Sequence, residues 1–91
     1  MRVFFKISGL VQGVGFRWFV RDAAAARGVT GWVANAHDGS VQGQAQGDRK
    51  TLDGFLSELK SGRSPGQVTG AETEELEEKA GETGFSIEIL D

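Results

Sequence analysis

The sequence predicts an α+β protein of two layers, with two helices lying on one face of an antiparallel sheet. Two observations carry that prediction. Apolar residues alternate with a period of two in several short segments, and recur with helical spacing in two others. Glycine-bearing turns separate these segments and leave one apolar face per strand and one apolar stripe per helix. The order reads βαββαβ with a short additional C-terminal strand, which is the split-βαβ, ferredoxin-like sandwich.

The elements follow in order. Over residues 2–8, Val3, Phe5 and Ile7 fall on one side and Arg2, Phe4, Lys6 and Ser8 on the other, the pattern of a half-buried strand. From residue 16 to 27 the spacing turns helical, with Phe16, Phe19, Val20, Ala23 and Arg27 on one stripe. The alanines at 23–26 favour helix, and Gly28 stands where a C-terminal cap belongs. Residues 30–35 read as a second strand. Asp38-Gly39 marks a turn, and 40–46 alternate again, giving a hairpin with a loop of about four residues. Asp48 suits the N-cap of a second helix, in which Leu52, Phe55, Leu56 and Leu59 form the apolar stripe and Gly62 marks the end. Gly54 weakens this helix intrinsically, so packing must hold it. Residues 63–66 form a loop, 68–76 a strand, and Phe85, Ile87 and Ile89 alternate in the last one.

Ninety-one residues suit one domain with one core, expected to span residues 1–91. There is no cysteine, which removes disulfides, thiolate metal sites and a cysteine nucleophile. No segment has transmembrane length, and the N-terminal run lacks the apolar core of a signal peptide. These features suit a cytoplasmic protein. The net charge of −3, with basic residues dispersed, counts against a nonspecific nucleic-acid binder. Without a heptad or an obvious apolar patch, a monomer is expected.

The most informative segment is 9–20, Gly-Leu-Val-Gln-Gly-Val-Gly-Phe-Arg-Trp-Phe-Val, which joins the first strand to the first helix. Its glycines allow backbone conformations closed to other residues, so several N–H groups can converge on one point at the helix start. Arg17 adds a permanently charged planar fork suited to phosphate or carboxylate. The loop is not a Walker A motif, because no Lys-Ser or Lys-Thr follows the glycines. Nor is it a dinucleotide fingerprint, because position 18 is Trp rather than a third glycine. It reads as an oxyanion-binding loop of another kind.

Residues 9–17, Gly-Leu-Val-Gln-Gly-Val-Gly-Phe-Arg, resemble the first signature of the acylphosphatase family. Residues 31–41, Gly-Trp-Val-Ala-Asn-Ala-His-Asp-Gly-Ser-Val, resemble its second, and 42–47 continue the similarity. The likeness is close over residues 2–47 and looser over 48–91. It implies the same ferredoxin-like fold, and hydrolysis of a carboxyl phosphate to carboxylate and inorganic phosphate with neither metal nor cofactor. It also implies roles for particular residues. Arg17 matches the arginine that holds the substrate phosphate, and Asn35 the asparagine that positions the attacking water. The backbone N–H groups of Gln12, Gly13, Val14, Gly15, Phe16 and Arg17 match the phosphate cradle. From the residues alone, Asn35 reads as a turn former tolerant of the left-handed region.

Other residues carry less. His37, the one histidine, reads as a solvated turn residue, and the family does not require it. The glutamates at 72, 74, 75, 77 and 78 lack the spacing of a calcium loop and read as a solvated edge. Phe4 and Trp32 fit the sheet face away from the helices, as packing or as exposed aromatics. An RNA-recognition domain would share the fold, and residues 15–20 superficially echo its aromatic motif. That motif belongs on a central strand, however, not in a loop and first helix turn. A noncatalytic domain binding an acyl phosphate or carbamoyl phosphate is the competing reading. The presence of both Arg17 and Asn35 favours the enzyme.

Overall fold

A computed structural model describes residues 1–90. The alternation at the N-terminus becomes β1 (Arg2–Leu10), and the alanine-rich stretch becomes α1 (Phe16–Arg27). The hairpin is β2 (Thr30–Asn35) and β3 (Val41–Gln46), followed by α2 (Arg49–Leu59), the edge strand β4 (Gln67–Leu76) and the short β5 (Phe85–Ile87). The five strands lie in the order β4-β1-β3-β2-β5. Four of them pair antiparallel, as expected. The fifth corrects the expectation of a wholly antiparallel sheet. After β4 the chain crosses to the opposite edge and enters β5 alongside β2, pairing Gly31 with Phe85 and Val33 with Ile87 in parallel.

The core forms where the apolar face of the sheet meets the helix stripes. Val3, Phe5 and Ile7 of β1 pack in one cluster with Phe16, Val20, Ala23, Leu52, Phe55 and Leu59. Phe5 and Phe55 meet edge to face at 5.9 Å, and each fully buried side chain of this size contributes about 1.5–3 kcal/mol. Gly43 lies opposite Phe5 on β3. A Cβ there would stand 2.6 Å from Phe5 Cζ and 2.1 Å from the Trp32 carbonyl oxygen, so only glycine lets the ring lie this close.

On the other face Phe4, Gln44 and Trp32 align across β1, β3 and β2, the two aromatics half-buried. Arg2 shares that face and is buried, only 3% exposed. Its guanidinium donates to Gln44, Gln46 and both carboxylate oxygens of Glu82.

The helix ends follow local chemistry. Gly28 closes α1 in the left-handed region, donating to the Ala24 and Ala25 carbonyls. Asp48 caps α2 by accepting the Thr51 N–H at 2.8 Å. α2 stops at Leu59, before Gly62, because the Ser61 N–H and hydroxyl both bond the Glu58 carbonyl and turn the chain early. Ile89 likewise lies beyond the last strand and is 86% exposed. In the register of β5 on β2 it falls level with Asn35, the last residue of β2, so the sheet ends at this point. No helix among the described residues is long and apolar enough to cross a membrane.

Candidate active site

The loop between β1 and α1 is pinned at both ends by buried side chains, Val11 and Phe16, while residues 12–15 between them are exposed. Gly13 and Gly15 hold φ values of 75° and 85°, left-handed conformations that cost an ordinary L-residue about 1–2 kcal/mol. Gly15 is the N-cap of α1 and supplies no side-chain hydrogen bond, and the first turn carries no acidic residue. The first helical bond runs from the Phe19 N–H to the Gly15 carbonyl, so the N–H groups of Phe16, Arg17 and Trp18 precede the ladder. In α2 one of the equivalent donors, the Thr51 N–H, is met by the Asp48 side chain. The start of α1 is thus electropositive and uncapped, the arrangement that favours an anion.

Beside this helix start opens a pocket of about 490 Å³ lined by Gln12, Arg17, Asn35, Ala36, His37, Glu88, Ile89 and Leu90. Arg17 comes from the first turn of α1 and Asn35 from the last position of β2. Among the described residues, no carboxylate lies within ion-pairing distance of Arg17. Asn35 Oδ1 is buried and has no hydrogen-bond partner among the described residues. An unmet buried acceptor costs on the order of 1–3 kcal/mol, and such groups in native proteins call for a functional explanation.

The structure therefore gathers Gln12, Arg17 and Asn35 around one pocket, and Gly13, Val14, Gly15 and Phe16 complete the adjoining turn. It also gives Gln12 a part that the sequence did not show. Its side-chain amide donates to the Ala36 carbonyl at 2.7 Å and the Ser40 carbonyl at 2.9 Å, tying the glycine-rich loop to the hairpin that carries Asn35. A long polar side chain in a loop of small residues was the available signal. The hairpin is held in turn by Asp38, which accepts from the Ser40 N–H and hydroxyl and pairs with Lys6 at 3.0 Å. The Ser40 hydrogen bonds, with Lys6 beside them, hold the Asp38 carboxyl well below the usual carboxylate range, and Asp38 raises the Lys6 ammonium.

His37 lines the same pocket as an exposed loop residue. Glu72, Glu74 and Glu75 are exposed on the edge strand β4, and no group of acidic or histidine side chains among the described residues is arranged to hold a metal ion. Glu88, Ile89 and Leu90 had no sequence signal as pocket residues. They reach it because β5 runs parallel to β2 and delivers the segment after it next to Asn35.

The fold and the pocket together define a ferredoxin-like protein whose first helix start is prepared for an oxyanion. The chain matches the Acylphosphatase family model over residues 3–87. It is 45% identical over 76 residues to an acylphosphatase of Chlorobaculum tepidum, covering 84% of this chain and 83% of that one. The crystal structure of acylphosphatase from Bacillus subtilis superposes with a TM-score of 0.85 at 38% identity, covering 94% and 96% of the two chains. A segment of full-length HypF, crystallised in a phosphate- and nucleotide-bound form, matches with a TM-score of 0.85 at 28% identity, over 94% of this chain and 11% of that one. The chain belongs to the acylphosphatase family, enzymes that release inorganic phosphate from small acyl phosphates.

Proposed function

We propose that this chain hydrolyses the carboxyl–phosphate bond with a backbone cradle and Arg17 binding the phosphoryl group and Asn35 orienting the attacking water. The observation that supports it is the single pocket in which Arg17 and Asn35, from separate elements, meet beside the uncapped start of α1. An acyl phosphate carries a good leaving group, a carboxylate, and needs little acid catalysis. The tasks left are to hold the phosphoryl group, neutralise its oxygens and align the nucleophile. The N–H groups of Gln12 through Arg17 and the guanidinium serve the first two, each charge-assisted bond contributing roughly 1.5–3 kcal/mol. The Asn35 amide offers an acceptor and a donor, enough to orient water and too weakly basic to deprotonate it. The water oxygen bonds to phosphorus as the bond from phosphorus to the carboxylate oxygen breaks. The water's proton passes to a phosphate oxygen.

The test follows the loss of benzoyl phosphate. Asn35→Ala should lower kcat by about 100-fold or more while inorganic phosphate still binds. Arg17→Gln should lose both turnover and protection by phosphate. Full turnover in Asn35→Ala would remove the water-orienting role. A parent protein no faster than buffer, yet still protected by phosphate, would favour a noncatalytic acyl-phosphate- or carbamoyl-phosphate-binding module.

A further inference from the structure

The pocket of about 490 Å³ is larger than a phosphoryl group requires, since a water-sized unit takes up only ~30 Å³. Its lining joins the polar side chains of Gln12, Arg17 and Asn35 to a wall from the C-terminal segment, Glu88, Ile89 and Leu90. Large apolar side chains here are mostly buried, yet Ile89 is 86% and Leu90 37% exposed. Both stand at this pocket, whereas Leu10, equally apolar and 69% exposed, does not line it. The wall is also fixed in place. The Glu88 N–H donates to the Val33 carbonyl at 2.8 Å, so the segment is registered against β2 two residues before Asn35.

We infer that Ile89 and Leu90 form an acyl subsite that selects acyl phosphates with an apolar, aromatic-sized acyl group over small ones. This rests on the hydrolytic reading above, in which the phosphoryl group lies against the helix start and Arg17. The acyl group then has within the same pocket the large aliphatic side chains of Ile89 and Leu90 to rest against. An aromatic acyl group covers these side chains and removes apolar surface from water, whereas an acetyl group is too short to do so.

The experiment measures kcat/KM for benzoyl phosphate and acetyl phosphate in the parent, in the double variant Ile89→Ser, Leu90→Ser, and in Leu10→Ser. Both replaced residues lie after the last strand and outside the buried core cluster. The benzoyl-to-acetyl ratio should fall about 5- to 20-fold in the double variant, the size expected for partial loss of one apolar contact surface. It should stay at the parent value in Leu10→Ser. An unchanged ratio in the double variant, or an equal fall in Leu10→Ser, overturns the subsite while leaving the hydrolytic reading intact. A parent that turns over neither substrate removes that reading, and the subsite with it.

Discussion

Gln12 shows how much a single side chain can settle at this site. Its backbone lies in the proposed cradle, while its amide spans to the Ala36 and Ser40 carbonyls on the hairpin that carries Asn35. The proposed phosphate-binding loop and the proposed water-orienting residue are thereby held in one frame. Alanine at position 12 keeps every backbone N–H and removes both bonds, each worth about 1 kcal/mol. The expected effect falls on alignment: kcat on benzoyl phosphate should drop about 10- to 100-fold, since ~1 Å of misplacement can cost that much. Inhibition by inorganic phosphate should change less than threefold, because the cradle itself survives. Equal losses in turnover and phosphate binding would place Gln12 in direct phosphate contact instead.

At the scale of elements, the turn from β1 into α1 is the feature most legible from sequence, because its glycines at 13 and 15 mark the left-handed positions. Each would leave a Cβ in open space, so strain in φ is the whole cost of a side chain there. Gly15→Ala should therefore lower stability by about 1–2 kcal/mol and weaken phosphate protection, while Gly15→Asn, which tolerates the left-handed region, should lose less of both. Thermal unfolding with and without phosphate measures this, and an alanine variant as stable as the asparagine one would contradict it. Other elements were legible for equally local reasons: the 3.6-residue stripe of α2, the Asp48 cap and the Asp38-Gly39 turn. What stayed hidden depends on distant contacts. Alternation placed Ile89 in a strand, but whether a strand continues depends on its neighbour, and β2 offers only its last residue, Asn35, at that level. Arg2 alternated onto the open face like any solvated residue, and nothing nearby in sequence announced Glu82. The acyl wall was invisible for the same reason, since only the parallel pairing of β5 with β2 brings it to Asn35.

That pairing raises the question of the whole molecule: how the chain travels from β4 at one edge of the sheet to β5 at the other. Residues 77–84 make the crossing past the ends of β1 and β3, tied down along the way. The Met1 ammonium pairs with Glu78 at 2.6 Å, Gln46 exchanges hydrogen bonds with the Lys79 backbone, and Arg2 grips Glu82 with both arms of its fork. Arg2 and Glu82 are the most enclosed of these, at 3% and 12% exposure. The Arg2 hydrogen bonds hold the Glu82 carboxyl below its ordinary value of 4.5. A depressed carboxylate contributes stability above its unfolded value and loses it as pH falls through the folded one. The clamp should be complete at neutral pH and should fade below about pH 4.5. Glu82→Gln keeps the shape, accepts from only one arm of the fork and does not titrate. Its melting temperature should lie about 5 °C below the parent at pH 7, equivalent to ~1 kcal/mol for a chain of this size. The gap should narrow as the pH is lowered below 4.5. A gap that persists unchanged in acid would show that packing of the crossing segment, rather than the charge on Glu82, carries β5 and the residues after it to the pocket.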